Sequence, residues 1–279
     1  MIKCSKIVQP LAFKRILESL KDLISDALIE FDKNYFIIQT IDSSHTSLLE
    51  LKLNCHFFSD YSSLTGIKIR IKFSGIIKAI KNSLQDDIIT LKIDETKHLF
   101  SLVFENKGSK ILPDDRIVEY ELKMLEVPEN KIDFPKDLYE NTISLTNNEL
   151  LKLSKELIAV GDKVVVNMVP NIVVFTTYGD IGRVIIIYKN HTSNKSSTSP
   201  CLVNVVNQTT QTVYLKYLMA FTKIGSFGKS INISFKKGFP VKIYSLIESH
   251  GSIRLYLAPK VNESKLNKKT FLQKTITSL

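Results

Sequence analysis

Lysine pairs at helical spacing are the residues of this sequence whose types and positions most clearly indicate chemistry. Four pairs recur, each separated by three or seven residues: Lys14 and Lys21, Lys78 and Lys81, Lys152 and Lys155, and Lys216 and Lys223. On an α-helix, residues seven apart lie within about 20° of each other, and residues three apart share a face. Amines presented in this way bind phosphate oxygens. No aromatic stacking residues interleave them, which favours contact with a nucleic-acid backbone over reading of its bases.

Residues of the kinds used in catalysis and metal binding are present but scattered. The three cysteines, Cys4, Cys55 and Cys201, form no CxxC pair, which excludes a disulfide scaffold and a zinc ribbon. The histidines show no metal-ligand spacing, and no glycine-rich phosphate loop occurs. Acidic pairs such as Asp86-Asp87 lie in polar, turn-like settings and are interpreted as solvated loop carboxylates. Nothing argues for an enzyme, and we predict no catalytic site, no cofactor and no metal.

The composition limits both the class of protein and its partners. The chain has 279 residues, is 44% hydrophobic and carries a net charge of +10, so it suits one large domain or two smaller ones. The positive excess favours a polyanion, either nucleic acid or an anionic membrane face. No run of 18 apolar residues occurs, so we expect no transmembrane helix, and we see no secretory signal.

Four segments must position the lysine pairs, because their apolar residues follow the spacing of amphipathic helices. They are Pro10–Ala27, Ser74–Lys81 with Ser74 as N-cap, Asn147–Val160 ended by Gly161, and Thr212–Thr222. Between them lie short β-rich runs, several of which alternate polar and apolar residues and so predict antiparallel sheets with one wet face. These runs are Tyr35–Thr40, Ser47–Leu53, Ile67–Phe73, Ile88–Ile93, Leu99–Glu105, Val118–Leu125, Lys163–Val169, Ile172–Thr177, Val184–Tyr188, Ile231–Phe235, Val241–Leu246 and Arg254–Leu257.

The order of these elements occurs twice, with two helices in each half, which indicates an internal structural repeat. We predict an α+β protein with one domain at residues 1–125 and a similar one at 140–261. Residues 126–139 contain two prolines and no strong periodicity, so they are interpreted as a connector. The basic segment 262–279 is expected to be a disordered tail.

Several stretches resemble the eukaryotic DNA sliding clamp, the proliferating cell nuclear antigen family. They are LESLKDLISDA (Leu17–Ala27), IDSSHTSL (Ile41–Leu48), DIITL (Asp87–Leu91), LVFE (Leu102–Glu105), YLKYLMAFTK (Tyr214–Lys223) and LYLAPKV (Leu255–Val261). The resemblance runs from about residue 2 to 261. On these motifs the chain is identified as a divergent member of that family.

The resemblance implies a DNA clamp fold, in which three two-domain subunits form a ring with sheets outside and helices lining a hole around duplex DNA. The implied function is that of a non-enzymatic polymerase processivity factor and docking scaffold for replication and repair in the nucleus. Its implied partners are other copies of the chain, a clamp loader, and polymerase, ligase and nuclease proteins with short peptide motifs. The DNA-facing positions carry over to Lys14, Arg15, Lys21, Lys78, Lys81, Lys152, Lys155, Lys216 and Lys223.

The resemblance also implies two sites for protein partners. The first is a mostly apolar groove for partner peptides, which corresponds to Ile41, His45, Thr46, Leu48, Ile132, Phe134, Pro135, Pro240, Tyr256, Leu257, Ala258 and Pro259. The second is the seam between subunits, where edge strands pair through Ile117, Tyr120, Leu122, Arg183, Ile185 and Ile187. The apolar strand at 184–187 would be an aggregation hazard as a bare edge, and pairing in a ring removes that edge.

The sequence departs from the family where Pro170 replaces a regulatory lysine that accepts ubiquitin-like modifiers, so we do not expect that modification there. About five extra residues lie near 106–116, close to the predicted seam. Three alternatives remain open on the sequence. The chain could be a clamp paralogue in a heterotrimer for checkpoint or lineage-specific use, a monomeric processivity factor held on DNA by charge, or an enzyme whose site the sequence does not reveal.

Overall fold

The computed structural model describes residues 2–42, 46–106, 115–127, 139–190 and 201–258. Within these ranges the chain forms four α-helices: α1 (Pro10–Leu20), α2 (Phe73–Lys81), α3 (Asn147–Ile158) and α4 (Leu215–Gly225). Two short 3-10 turns lie at Cys55–Phe57 and Tyr61–Leu64. The strands are β1 (Ile2–Lys6), β2 (Asp26–Phe31), β3 (Tyr35–Ile41), β4 (Ser47–Asn54), β5 (Lys68–Lys72), β6 (Ile88–Asp94), β7 (Leu99–Asn106), β8 (Arg116–Lys123), β9 (Asn141–Leu145), β10 (Lys163–Val169), β11 (Ile172–Gly179), β12 (Gly182–Lys189), β13 (Cys201–Val205), β14 (Thr209–Tyr214), β15 (Ile231–Phe235), β16 (Val241–Ile247) and β17 (Gly251–Leu257).

The strands form three antiparallel sheets, with the orders β1-β6-β7-β8, β12-β11-β10-β14 and β13-β9-β15-β16-β17-β4-β3-β2-β5. The third sheet contains strands of both halves, which are joined where β17 pairs with β4. The two halves repeat each other: β1-β6-β7-β8 matches β9-β15-β16-β17, and β4-β3-β2-β5 matches β12-β11-β10-β14. The predicted α+β class, with two similar halves built on antiparallel sheets, is confirmed.

The four helices form a continuous row in the order α2-α1-α4-α3, because α1 packs against both α2 and α4, and α4 packs against α3. Each helix buries one apolar face in the core, as α1 does with Phe13, Ile16, Leu17 and Leu20. Complete burial of each such side chain stabilises the fold by about 1.5–3 kcal/mol. The exposed faces consequently point away from the core. None of the helices in the described residues is long and apolar enough to span a membrane.

The first helix is shorter than predicted, because it ends at Leu20 and residues 21–25 form a turn. Leu23, Ile24 and Ala27 continue the helical spacing, yet Ala27 lies in strand β2, where its side chain enters the core beside that of Ile29. In this segment a helix and a strand would place the same apolar residues inward, so the sequence pattern does not distinguish them. The strand forms because β2 pairs with both β3 and β5.

Two helix starts also differ from the prediction. Ser74 is not the N-cap of α2, since Lys72 precedes the helix and no side chain caps it. Helix α4 begins at Leu215, not at Thr212, because residues 209–214 pair with β10 as strand β14. Strands β1, β2, β9, β13 and β14 were not predicted from the sequence, and three of them have five residues, too few for a clear period.

The third helix ends at Ile158, two residues before the predicted end. Its start is capped, because the Thr146 hydroxyl accepts a hydrogen bond from the Glu149 N–H at 3.3 Å. Gly161 does not supply the left-handed turn that was expected of it, since its φ is not in the positive region. A side chain is excluded there by crowding, as a Cβ atom would lie 2.4 Å from the carbonyl oxygen of Tyr178.

Candidate nucleic-acid and partner-binding sites

The nine basic residues predicted to face DNA all lie on the helix row or at its ends. All except Lys14 are exposed. Because the opposite faces of the helices are buried in the core, these cationic groups project from one layer. They are Lys14, Arg15, Lys21, Lys78, Lys81, Lys152, Lys155, Lys216 and Lys223. The structure therefore assembles the four separate lysine pairs into one cationic surface, which can contact a run of phosphates.

Two of these lysines also hold the row together. The ammonium group of Lys14 on α1 donates a hydrogen bond to the carbonyl of Ser83, just after α2, at 2.9 Å. Lys223 on α4 forms an ion pair with Asp22 at 2.5 Å, and both side chains are about half exposed (50% and 48%). Exposed pairs of this kind contribute about 0–1 kcal/mol. Lys223 consequently presents less unpaired charge to DNA than the other positions do, whereas Lys14 keeps its charge and has one of its three N–H donors engaged.

Aromatic rings do accompany one lysine of the row, contrary to the sequence-based expectation. The ammonium group of Lys216 lies 4.7 Å from the ring centroid of Tyr217 and 5.9 Å from that of Tyr214. Both are cation–π distances. Tyr217 is buried, so its ring supports the lysine and offers no face on which a base could stack. The preference for phosphate contact over base reading is unchanged.

A hydrogen-bonded cluster links the helix row to the loop between β3 and β4. The Tyr217 hydroxyl on α4 donates to the Asp42 carboxylate at 2.8 Å and lies 2.7 Å from the Thr46 hydroxyl. The same carboxylate accepts hydrogen bonds from the N–H groups of Thr46 and Ser47, each at 2.7 Å. Asp42 thus holds the described part of this loop in shape, and Tyr217 ties it to the second half of the chain.

Three residues of the predicted peptide groove lie on three adjacent strands. Ile41 in β3 lies opposite Leu48 in β4, and Leu48 lies opposite Tyr256 in β17. Ile41 is 40% exposed, whereas Tyr256 is buried and presents little of its ring. These residues form one apolar rung across the joint between the two halves. An apolar side chain of a bound peptide can pack on such a surface.

Of the other predicted groove residues, three make hydrogen bonds near this surface, one lies in the core, and five lie outside the described residues. Thr46 and Ala258 are adjacent, because the Ala258 N–H donates to the Thr46 carbonyl at 2.8 Å, and Pro240 accepts a hydrogen bond from the Tyr139 hydroxyl at 3.0 Å. Leu257 packs in the hydrophobic core, so its side chain is not part of the exposed surface. The last group lies outside the described residues: His45, Ile132, Phe134, Pro135 and Pro259.

Sequence reasoning missed a cationic edge to this surface. The Lys242 ammonium group lies 5.6 Å from the ring centroid of Tyr139 and 5.7 Å from that of Tyr244. Partial burial, together with the neighbouring Arg254 guanidinium, lowers the pKa of Lys242. The sequence signal that could have indicated this edge is the two-residue spacing of Lys242 and Tyr244, which places them on the same face of β16.

No group of His, Cys, Asp and Glu in the described ranges could hold a metal ion.

The predicted seam residues lie on two strands, β8 and β12, each at the end of its sheet. Ile117 on β8 is 70% exposed, while Tyr120 and Leu122 are half-buried. On β12, Arg183 is exposed, and Ile185 and Ile187 are half-buried. Apolar side chains on two sheet edges are a surface suited to strand pairing.

Comparisons with known proteins identify the family. The model of the proliferating cell nuclear antigen N-terminal domain matches residues 2–132, and the model of its C-terminal domain matches residues 133–260. The proliferating cell nuclear antigen of Chaetomium thermophilum is 25% identical over 261 residues, which are 94% of this chain and 99% of that protein. The two models together span nearly the whole chain, so the protein belongs to the proliferating cell nuclear antigen family of DNA sliding clamps.

Proposed function

We propose that three copies of this chain close a ring around duplex DNA, with the helix row of each copy facing the DNA. The family assignment makes the protein a non-enzymatic DNA sliding clamp of replication and repair. The observation that supports the DNA-facing side is the single layer of four helices, on whose solvent side eight of the nine predicted basic residues are exposed.

The chemistry of this surface suits sliding. Lysine and arginine contact phosphates without reading bases, so the energy of the contact does not depend on the DNA sequence. Weak, salt-sensitive contacts let the ring move, and topological closure keeps it on the DNA. The proposal therefore needs a closed ring and does not need tight binding.

The arrangement of sheets supports closure by strand pairing. Inside the chain, the edges of the two halves join where β17 pairs with β4. The equivalent strands, β8 and β12, are end strands. Repeating the internal joint between subunits would pair β8 of one copy with β12 of the next, and three copies of two halves would close the ring.

The apolar rung formed by Ile41, Leu48 and Tyr256 supports the proposed docking of partners. Polymerase, ligase and nuclease proteins would bind there through short peptides with apolar anchors. A separate clamp loader would open the ring, since no glycine-rich nucleotide loop occurs in the sequence. We propose that the protein acts in the nucleus, where its duplex DNA partner lies.

The closed ring is tested by oligomeric state and by retention on DNA. Light scattering after gel filtration should give the mass of three chains at micromolar concentration. After loading, the protein should stay on nicked circular DNA in moderate salt and leave a linear duplex by running off its ends. A monomer with equal retention on both DNAs would favour the charge-held processivity factor and overturn the ring.

A further inference from the structure

We propose that the seam of this ring is set by a strand register that places Glu121 of one subunit opposite Arg183 of the next. The inference rests on the proposed ring and adds to it the register of the seam and the residues that recognise the neighbour. It follows from the internal repeat, because the joint inside the chain is a template for the joint between chains.

The equivalence of β8 and β17 follows from the strand registers of the two halves. Ile7 and Leu145 are the last inward-facing residues before α1 and α3, and each begins a path of directly opposed residues across its sheet. The first path runs Ile7, Ile89, Phe104 and Val118, and the second runs Leu145, Ile231, Ser245 and Ile253. Val118 of β8 is therefore equivalent to Ile253 of β17, and Glu121 is equivalent to Tyr256.

The equivalence of β12 and β4 follows in the same way from the other two sheets. Lys72 and Tyr214 are the last residues before α2 and α4, and they lie opposite Asp26 and Lys163. Two residues further along these strands lie Leu28 of β2 and Val165 of β10. From Leu28 the opposed residues across the sheet are Gln39 and then Glu50, and from Val165 they are Thr176 and then Ile185. Ile185 of β12 is therefore equivalent to Glu50 of β4, and Arg183 is equivalent to Leu48.

Tyr256 and Leu48 lie directly opposite each other in the internal joint. Transferred to the seam, this register places Glu121 opposite Arg183 of the neighbour. Both residues are exposed and lie on the face of their strands that points away from the helices. The burial alternation of β8 shows this for Glu121, and the packing of Val184, Ile186 and Tyr188 against the core shows it for Arg183. Opposite charges directly across two antiparallel strands stabilise the pairing, and like charges destabilise it.

The same register matches other residues along the seam. It places Asp115 opposite Lys189 of the neighbour, a second pair of opposite charges. It places Ile117 opposite Ile187 of the neighbour, so that the most exposed apolar side chain of β8 meets an apolar partner. A slip of two residues would retain the faces but would place Glu121 opposite Ile185 or Ile181 of the neighbour, so that this carboxylate would face an apolar side chain. In the second of these slips Arg183 would face Glu119, which already accepts a hydrogen bond from Lys92 in its own subunit.

A comparison of the two joints separates their functions. In the internal joint, Arg254 lies opposite Glu50 with its guanidinium 3.5 Å from the carboxylate, and one step along the same face lies the apolar pair Tyr256 and Leu48. At the seam the equivalent of this apolar pair is charged. The seam therefore does not repeat the apolar rung of the peptide groove, and its charges instead recognise a subunit with the matching edge.

A neighbouring carboxylate on β8 is occupied within its own subunit and serves as a comparison. Glu119 accepts a hydrogen bond from Lys92 at 2.8 Å, and this contact lowers the pKa of Glu119. Glu121 forms no salt bridge within the described part of the chain, and its charge acts on Lys92 only by adding to the rise of the pKa of that lysine. Of the two outward carboxylates on this edge, Glu121 is the one available to a neighbour.

Charge exchange tests the register in the full chain. Glu121→Arg and Arg183→Glu should each weaken trimer formation about fivefold or more per seam, because each places like charges opposite each other. The double variant should restore assembly, since it exchanges the two charges. The matched control is Glu248→Arg, a charge reversal of the same size in the exposed turn between β16 and β17, which should assemble like the unmodified chain.

Cross-linking tests the register in a second way. In a Cys4→Ser background, Glu121→Cys with Arg183→Cys should form intersubunit disulfides under mild oxidation, whereas Glu119→Cys with Arg183→Cys, displaced by two residues, should not, because a disulfide needs Cα atoms within about 7 Å. A monomeric unmodified chain would overturn both the ring and the seam. Normal trimers from both single charge variants, or cross-links from the displaced pair only, would overturn the register and leave the ring standing.

Discussion

Removal of one hydroxyl group, in the variant Tyr217→Phe, tests how the two halves of the chain are tied together. That hydroxyl donates to the Asp42 carboxylate at 2.8 Å and contacts the Thr46 hydroxyl at 2.7 Å. Tyr217 is buried in α4, whereas Asp42 lies in the loop that precedes β4. The substitution keeps the aromatic ring of residue 217, its packing and its contact with the Lys216 ammonium group. It removes only this hydrogen-bonded link, and the halves stay joined where β17 pairs with β4.

The size of the effect follows from what remains around the carboxylate. Hydrogen bonds to charged groups contribute about 1.5–3 kcal/mol. Asp42 keeps the N–H groups of Thr46 and Ser47 and the Thr46 hydroxyl as donors, so we expect the lower end of that range, about 1.5 kcal/mol. For a chain of this size, such a loss lowers the melting temperature by about 3–6 °C.

Thermal unfolding at one fixed protein concentration measures this change, because association makes the melting temperature depend on concentration. Tyr244→Phe is the control, since the Tyr244 hydroxyl makes no hydrogen bond within the described ranges, and it should leave the melting temperature within about 1 °C. Asp42→Asn completes a double-mutant cycle. If the effects of Tyr217→Phe and Asp42→Asn simply add, the two side chains are not coupled and the reasoning is refuted.

Three further predictions concern other parts of the molecule. Replacing both Lys78 and Lys81 with alanine should weaken DNA-stimulated synthesis and lower the salt dependence of DNA binding while peptide binding stays constant; a loss of peptide binding would contradict separate sites. Gly161→Ala should destabilise the fold by about 1–3 kcal/mol in chemical denaturation, because the new Cβ meets a backbone carbonyl of β11. Burial raises the pKa of the Cys201 thiol to about 12, so at pH 8 iodoacetamide should label exposed Cys4 first, and peptide mass spectrometry showing the reverse order would be contrary evidence.

An element could be predicted from the sequence where its pattern of apolar residues fits only a helix or only a strand. Where the pattern fits both, the boundary was wrong. Strand β10 was predicted with its observed bounds, because Lys163–Val169 is a short run rich in β-branched valine, and such runs favour strands. The boundary between α1 and β2 was not, since Leu23, Ile24 and Ala27 satisfy a helical period that the structure does not use. Pairing of β2 with two neighbouring strands decided the outcome, and such pairing is not visible in a local window of sequence.

The candidate sites were predictable where they depend on exposure and not where they depend on distant contacts. Lysines on the polar side of amphipathic helices were expected to be exposed, and most of them are. The contact between Tyr217 and Asp42 joins residues 175 positions apart, so no spacing rule indicates it. For the same reason the sequence did not show that Lys223 pairs with Asp22, which lies 201 positions away.

The pairing of β17 with β4 has a consequence for the way in which the chain folds. These strands are separated by about 200 residues, and closing so long a loop before its contacts form is costly and slow. During synthesis, β4 leaves the ribosome long before β17, so the first half carries an open strand edge until the last described strand is made. We therefore expect the two halves to complete folding together after chain release, with chaperones shielding that edge in the interval.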